Sequence, residues 1–161
     1  MAVRGDPRRF ATGALGHVAS LACALPVDAT PCYPRRMPSH DEAVALFARR
    51  RDAWLREDVD AYLALWAEDM SFQSPVHESP LRGRAAFGEL VRRSLAFSRP
   101  VAFEFTHIAV HGAMVLAEWR IAVERRDGGR SIEWWGMSVA EIRDGLIHTW
   151  REYWNPSVFR L

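Results

Sequence analysis

The spacing of apolar residues changes character once along this chain, from helical periods before Phe97 to strand-like alternation after Pro100. Ser39-His40-Asp41-Glu42 has the Ser-x-x-Glu form of a capping box, in which each side chain satisfies an orphan backbone donor of the other residue. Val44, Phe47, Ala48, Trp54 and Leu55 follow at helical spacing and predict a first helix ending near Glu57. Asp58 is placed to cap a short second helix carrying Val59, Leu63 and Trp66 on one side. Met70 to Ser74 reads as a brief strand that stops at Pro75, and residues 75–83 as a loop with two prolines. Arg84 to Phe97 predicts a third helix whose inner face is Phe87, Leu90, Val91, Ser94 and Leu95.

Beyond Pro100 the chain reads as strands and turns. Val101–Val110 turns at His111-Gly112, and Met114–Val123 turns at Asp127-Gly128-Gly129. Ser131 to Pro156 forms a closing hairpin around Arg143-Asp144-Gly145, since Asp-Gly between alternating apolar runs is a strong hairpin signal. In its second arm a period of two puts His148, Trp150, Glu152 and Trp154 on one face and Ile147, Thr149, Arg151 and Tyr153 on the other. Three helices packed on one face of a strongly curved antiparallel sheet make an α+β fold with a cone between the layers.

Composition narrows the class. The 161 residues are 49% hydrophobic with seven Trp, which suits one globular domain with a substantial core. Lys+Arg is 21 against Asp+Glu 20, a balance that argues against a nucleic-acid partner. The basic residues are unevenly placed. Residues 1–36 hold five Arg against Asp6 and Asp28, and both cysteines, Cys23 and Cys32, lie there. Residues 37–161 therefore contain no thiol for a disulfide, a zinc site or a nucleophile.

Three readings are open for residues 1–36: a start at Met37 with the preceding segment an artefact, a weak export signal with Arg8-Arg9 ahead of Ala11–Leu25, or a disordered tail. The domain itself is assigned to 37–161, with a cytoplasmic location expected. No apolar stretch is long enough to span a bilayer, so no membrane association is expected.

Several segments in this order resemble the SnoaL-like branch of the NTF2-like superfamily. They are Ala64-Leu65-Trp66-Ala67-Glu68-Asp69-Met70-Ser71-Phe72, Pro80-Leu81-Arg82-Gly83-Arg84-Ala85-Ala86-Phe87, Val115-Leu116-Ala117-Glu118-Trp119-Arg120, and Gly136 to Asn155. The branch includes polyketide cyclases, limonene-epoxide-hydrolase-like enzymes and steroid isomerase relatives. The resemblance implies a homodimer through the outer sheet face and a pocket for an apolar small molecule. In the epoxide-hydrolase-like members, a tyrosine and an asparagine hold a water that an Asp-Arg-Asp trio activates. The water-holding pair falls on Phe72 and Ser74, the first Asp and the Arg fall on Ile121 and Trp119, and the last acid falls on Glu152. Glu152 keeps an acid and Ser74 a hydroxyl; Trp119 and Ile121 can do neither polar job.

The residues themselves point to Glu152. A carboxyl between Trp150 and Trp154 on a cone-facing strand would be desolvated, which raises its pKa towards neutrality and suits it to proton transfer. The alternative is an exposed strand end with Glu152 paired to an Arg. His107 shares parity with Phe103 and Phe105, reading either as a satisfied core histidine or as an acid–base partner of Glu152. Ser74 and His107 complete the candidate catalytic set. Phe72, Trp54, Trp119, Ile121, Trp150 and Trp154 are the candidate substrate-binding residues. Glu118 and Arg120 read as an ion pair or subunit contact on the outer sheet face, and Trp54, Trp66, Trp119, Trp134 and Trp135 mainly as core. Arg49-Arg50-Arg51 and Arg92-Arg93 read as solvated helix faces. The sequence contains no metal-ligand spacing, phosphate-cradling loop or nucleophile elbow, so no cofactor or metal is expected.

Two function classes remain. One is a cofactor-independent enzyme performing cyclisation, isomerisation or hydration on a polycyclic or terpenoid-like molecule. The other is a non-catalytic ligand-binding or dimerisation module.

Overall fold

The computed structural model describes residues 36–159. The alternatives for the N-terminal segment concern residues that lie outside the described residues up to residue 35. Helix α1 (His40–Leu55) begins at the expected capping box: Ser39 Oγ accepts from the Glu42 amide at 3.2 Å, and the Glu42 carboxylate accepts from the Ser39 amide at 2.9 Å. Asp58 caps the short α2 (Val59–Leu63) by accepting from the Ala61 amide. Two strands follow, β1 (Trp66–Gln73) and the two-residue β2 (Leu81–Arg82), before α3 (Arg84–Phe97). Four long strands then run to the C-terminus: β3 (Ser98–His111), β4 (Met114–Arg125), β5 (Ser131–Arg143) and β6 (Leu146–Trp154). A short 3-10 turn (Pro156–Phe159) ends the described chain.

The strands form one curved six-stranded sheet in the order β2-β1-β6-β5-β4-β3. This corrects the all-antiparallel expectation, because β1 pairs with β6 in parallel. A parallel pair needs a long crossover, and α3 with the three strands that follow it supplies that return path. A strand stands between α2 and α3 where one was expected, and the short β2 lies within the expected 75–83 loop. The predicted turns are in place. Asp144 and Gly145 both have positive φ, 52° and 77°, as a two-residue primed hairpin turn requires.

Helices α1 and α3 cover the inner face of the sheet. One core cluster joins Phe47, Trp66, Phe87 and Trp150, and a second joins Phe103, Trp119, Ile121 and Val123. The buried stripe of α1 is Ala43, Leu46, Phe47, Arg50 and Ala53, so the expected stripe was out of phase. Val44 and Leu55 are exposed. Trp66 belongs to β1 rather than α2, and Trp135 lies on the outer sheet face, 59% exposed, rather than in the core. Among the described residues no helix is long and apolar enough to cross a membrane.

Candidate functional site

A cavity of about 280 Å³ opens between α1, α2, α3 and the inner face of the sheet. Its wall is largely aromatic and aliphatic, and Glu152, Arg50 and Tyr62 bring the ionisable groups. Strand β6 delivers Glu152. Its pairing with β5 aligns Glu152 with Ser138 and Trp154 with Gly136, so Glu152 and both flanking tryptophans face inward. Trp150 Nε1 donates to one carboxylate oxygen and Trp154 Nε1 to the other, each at 3.0 Å. The carboxyl is thereby pinned in one orientation by two donors that cannot exchange a proton near neutral pH.

Burial among these rings pushes the Glu152 carboxyl above the ordinary carboxylate range. The charge of Arg50 and the two indole hydrogen bonds pull the other way without cancelling the effect. Tyr62, buried in the same wall, has its phenol pushed up by burial; nearby Arg50 opposes this and Glu152 adds to it.

Arg50 is a cavity-lining residue that sequence reasoning missed. It is 3% exposed and boxed by aromatic rings, with its guanidinium carbon 4.1 Å from the Trp150 ring centroid, 5.0 Å from Phe103 and 5.4 Å from Tyr62. Among the described residues its Nε and Nη1 have no hydrogen-bond partner. Consecutive arginines suggest a solvated face, but Ala43, Leu46, Phe47, Arg50 and Ala53 fall at the i, i+3, i+4, i+7 and i+10 positions of one stripe. A cation inside an apolar stripe was the available signal.

The predicted residues divide into those the cavity gathers and those it does not. Trp54, Phe72 and Ile121 line it together with Glu152. Trp150 and Trp154 hold the carboxylate from behind. Trp119 is buried beside the cavity, its Nε1 donating to Ser138 Oγ at 2.7 Å, and it serves as packing. Ser74 is buried at the end of β1 and lies off the cavity wall, with its Oγ 2.7 Å from His77 Nδ1.

His107 is corrected outright. A bulge between Phe105 and His107 shifts the register, so that Phe105 pairs with Trp119 but His107 pairs with Glu118. One extra residue reverses the side-chain alternation and sends His107 to the outer face. There its Nδ1 meets Glu118 Oε2 at 2.6 Å, and that hydrogen bond with a second from Thr106 draws the Glu118 carboxyl below its ordinary range. A second irregularity, between Glu141 and Ile142, lets Ile147 and Trp150 both face the core. His148 sits 3.7 Å from Asp69 instead of sharing the face of Glu152. Glu118 and Arg120 lie on the outer face but take other partners than each other: Arg120 bridges Glu104 and Glu133, and Glu118 meets His107. Among the described residues no group of three or more His, Cys, Asp or Glu side chains is gathered as a metal-ligand set.

The chain is similar to several known proteins. The uncharacterised protein YesE of Bacillus subtilis is 28% identical over 116 residues, spanning 66% of this chain and 76% of YesE. An LEH-like epoxide hydrolase of M. tuberculosis superposes with a TM-score of 0.64 at 27% identity, over 73% of this chain and 86% of that one. A candidate polyketide cyclase of Xanthomonas campestris does so with a TM-score of 0.58 at 27% identity, over 71% and 91%. The fold shared with these proteins is NTF2-like. A family model described as the SnoaL-like domain matches residues 47–150, from the inner stripe of α1 to the tryptophan behind Glu152. The chain belongs to the SnoaL-like domain family.

Proposed function

We propose that this protein is a small enzyme needing no cofactor that performs general acid–base chemistry on an apolar polycyclic or terpenoid-like molecule, with Glu152 as the proton-transfer group. The observation that carries this reading is the carboxyl of Glu152, pinned by two indoles in a cavity wall, with burial raising its pKa above the ordinary carboxylate range. The indoles occupy one lone pair on each oxygen, so lone pairs remain for a substrate proton. Such a group can remove a proton next to a carbonyl and return it at another carbon, which serves isomerisation or ring closure. Trp54, Phe72 and Ile121 would hold the apolar body of the substrate. Ser74 and His107, on geometry, have no place in the reacting set.

The similarity to an epoxide hydrolase and to a candidate cyclase supports small-molecule chemistry in this type of cavity. The test is to incubate wild type and Glu152→Gln with steroid enones, aromatic polyketides and terpene epoxides. Turnover of one class by wild type, reduced at least about a hundredfold in the variant, supports the proposal. Equal turnover by both proteins removes Glu152 from the chemistry.

A non-catalytic binding module is the second reading. It is favoured by the partners of Glu152: among the described residues its hydrogen-bond partners are two indoles, and none is a proton-exchanging group. Binding of a ligand class by both proteins with conversion by neither supports that reading. We further propose that the outer sheet face forms a homodimer contact, since Trp135, Met137 and Tyr153 stand exposed there on neighbouring strands.

A further inference from the structure

The cavity presents unpaired hydrogen-bond donors and few acceptors. Among the described residues Arg50 Nε and Nη1, Trp54 Nε1 and Trp134 Nε1 are buried without a partner, and all three residues line the cavity. Glu152, the carboxylate of this wall, is already engaged by two indoles, and the hydroxyls of Tyr62, Ser94 and Ser98 bring no charge. Arg50 carries a permanent charge, and among the described residues no carboxylate lies within ion-pair distance of it. Five aromatic faces surround that guanidinium, at 4.1 to 5.9 Å from ring centroid to central carbon. Ring faces stabilise a cation but accept no strong hydrogen bond. A buried guanidinium with no carboxylate beside it is costly, and an anionic oxygen from a ligand offsets part of that cost through a charge-assisted hydrogen bond.

We propose that the ligand of this cavity is an aromatic or polycyclic carboxylate whose carboxylate oxygen docks on Arg50. Nε and Nη1 are enclosed by the rings, so Nη2 is the guanidinium nitrogen that meets the ligand, with the aromatic body lying along Trp54, Phe103 and Trp134. The negative charge of Glu152 opposes a second anion. That opposition is relieved because the enclosed carboxyl of Glu152 is driven towards its neutral form. The proposal names the ligand class of the site discussed above. It rests on the cavity being a ligand site and not on Glu152 turning anything over.

The test uses two planar probes of equal size, 2-naphthoate and the neutral ketone 2-acetylnaphthalene. Binding is followed by quenching of tryptophan fluorescence and by calorimetry on wild type, Arg50→Lys, Arg50→Met and Glu152→Gln. Wild type should bind the carboxylate roughly tenfold or more tighter than the ketone. Arg50→Met should abolish that preference, and Arg50→Lys should restore part of it. Glu152→Gln should keep it. Equal affinity of wild type for both probes overturns the carboxylate assignment while leaving the cavity as a ligand site. A preference that survives in folded Arg50→Met moves the carboxylate off Arg50 and overturns the assignment too. No binding of either probe overturns both the assignment and the ligand-site reading. The wild-type comparison decides even where an Arg50 variant fails to fold.

Discussion

At Glu152, desolvation outweighs two hydrogen bonds and a nearby guanidinium, and the sign of that balance has a measurable consequence. An acid whose folded pKa lies above its unfolded value, near 4.5 here, keeps its proton longer in the folded chain. The folded state therefore loses stability as pH rises from about 4.5 through the raised value. Glu152→Gln does not titrate. The stability of wild type relative to this variant should consequently be greatest in acid and shrink towards neutral pH. Denaturant titrations of both proteins across that range check this, and a difference independent of pH would show that the carboxyl is not desolvated. The candidacy of Glu152 was legible in the sequence, because alternation alone placed it between two tryptophans. Arg50 was not read correctly, because charge type was weighed above position in the stripe.

Among the secondary elements, β5 carries the clearest constraint. Gly136 lies opposite Trp119 and Trp154, and a Cβ added there would come within 2.6 Å of the Trp119 ring and 3.0 Å of Trp154. The ring of Trp119 lies across the space that a side chain would fill. Gly136→Ala should destabilise the fold by about 1–3 kcal/mol through overpacking. It should also disturb Trp154 and hence the orientation of Glu152. Chemical denaturation and the intrinsic tryptophan spectrum measure the two effects, and unchanged stability would mean that Trp119 can move aside. The strands of this hairpin were predictable from their alternation and from Asp144-Gly145. The bulges were not, since an extra residue in one strand is visible only against its partner. That is why His107 was expected inward and lies outward.

Among the described residues, one face of the sheet is covered by helices and the other by none. Trp135, Met137 and Tyr153 lie on that open face beside the Arg120–Glu104–Glu133 ion-pair group and the His107–Glu118 pair. Exposed aromatic residues set within satisfied ion pairs have the composition of an interface core with a polar surround. A dimer in sedimentation equilibrium, converted to monomer by Trp135→Glu together with Tyr153→Arg, is the expected result. A monomeric wild type at micromolar concentration would overturn the dimer proposal.

The sequence by itself determined the α+β class, the order of the main helices and strands, the hairpin turns and the face that Glu152 shares with Trp150 and Trp154. Each of these follows from local rules: capping chemistry, a period of 3.6 or 2, and glycine at positive φ. Tertiary structure decided the parallel β1–β6 pair, the reversal of His107 and the burial of Arg50. Each of those depends on which segment pairs with which across the chain. The charge of Arg50 is accommodated because α1 presses that residue against the rings of Phe103, Tyr62 and Trp150, which come from three other elements.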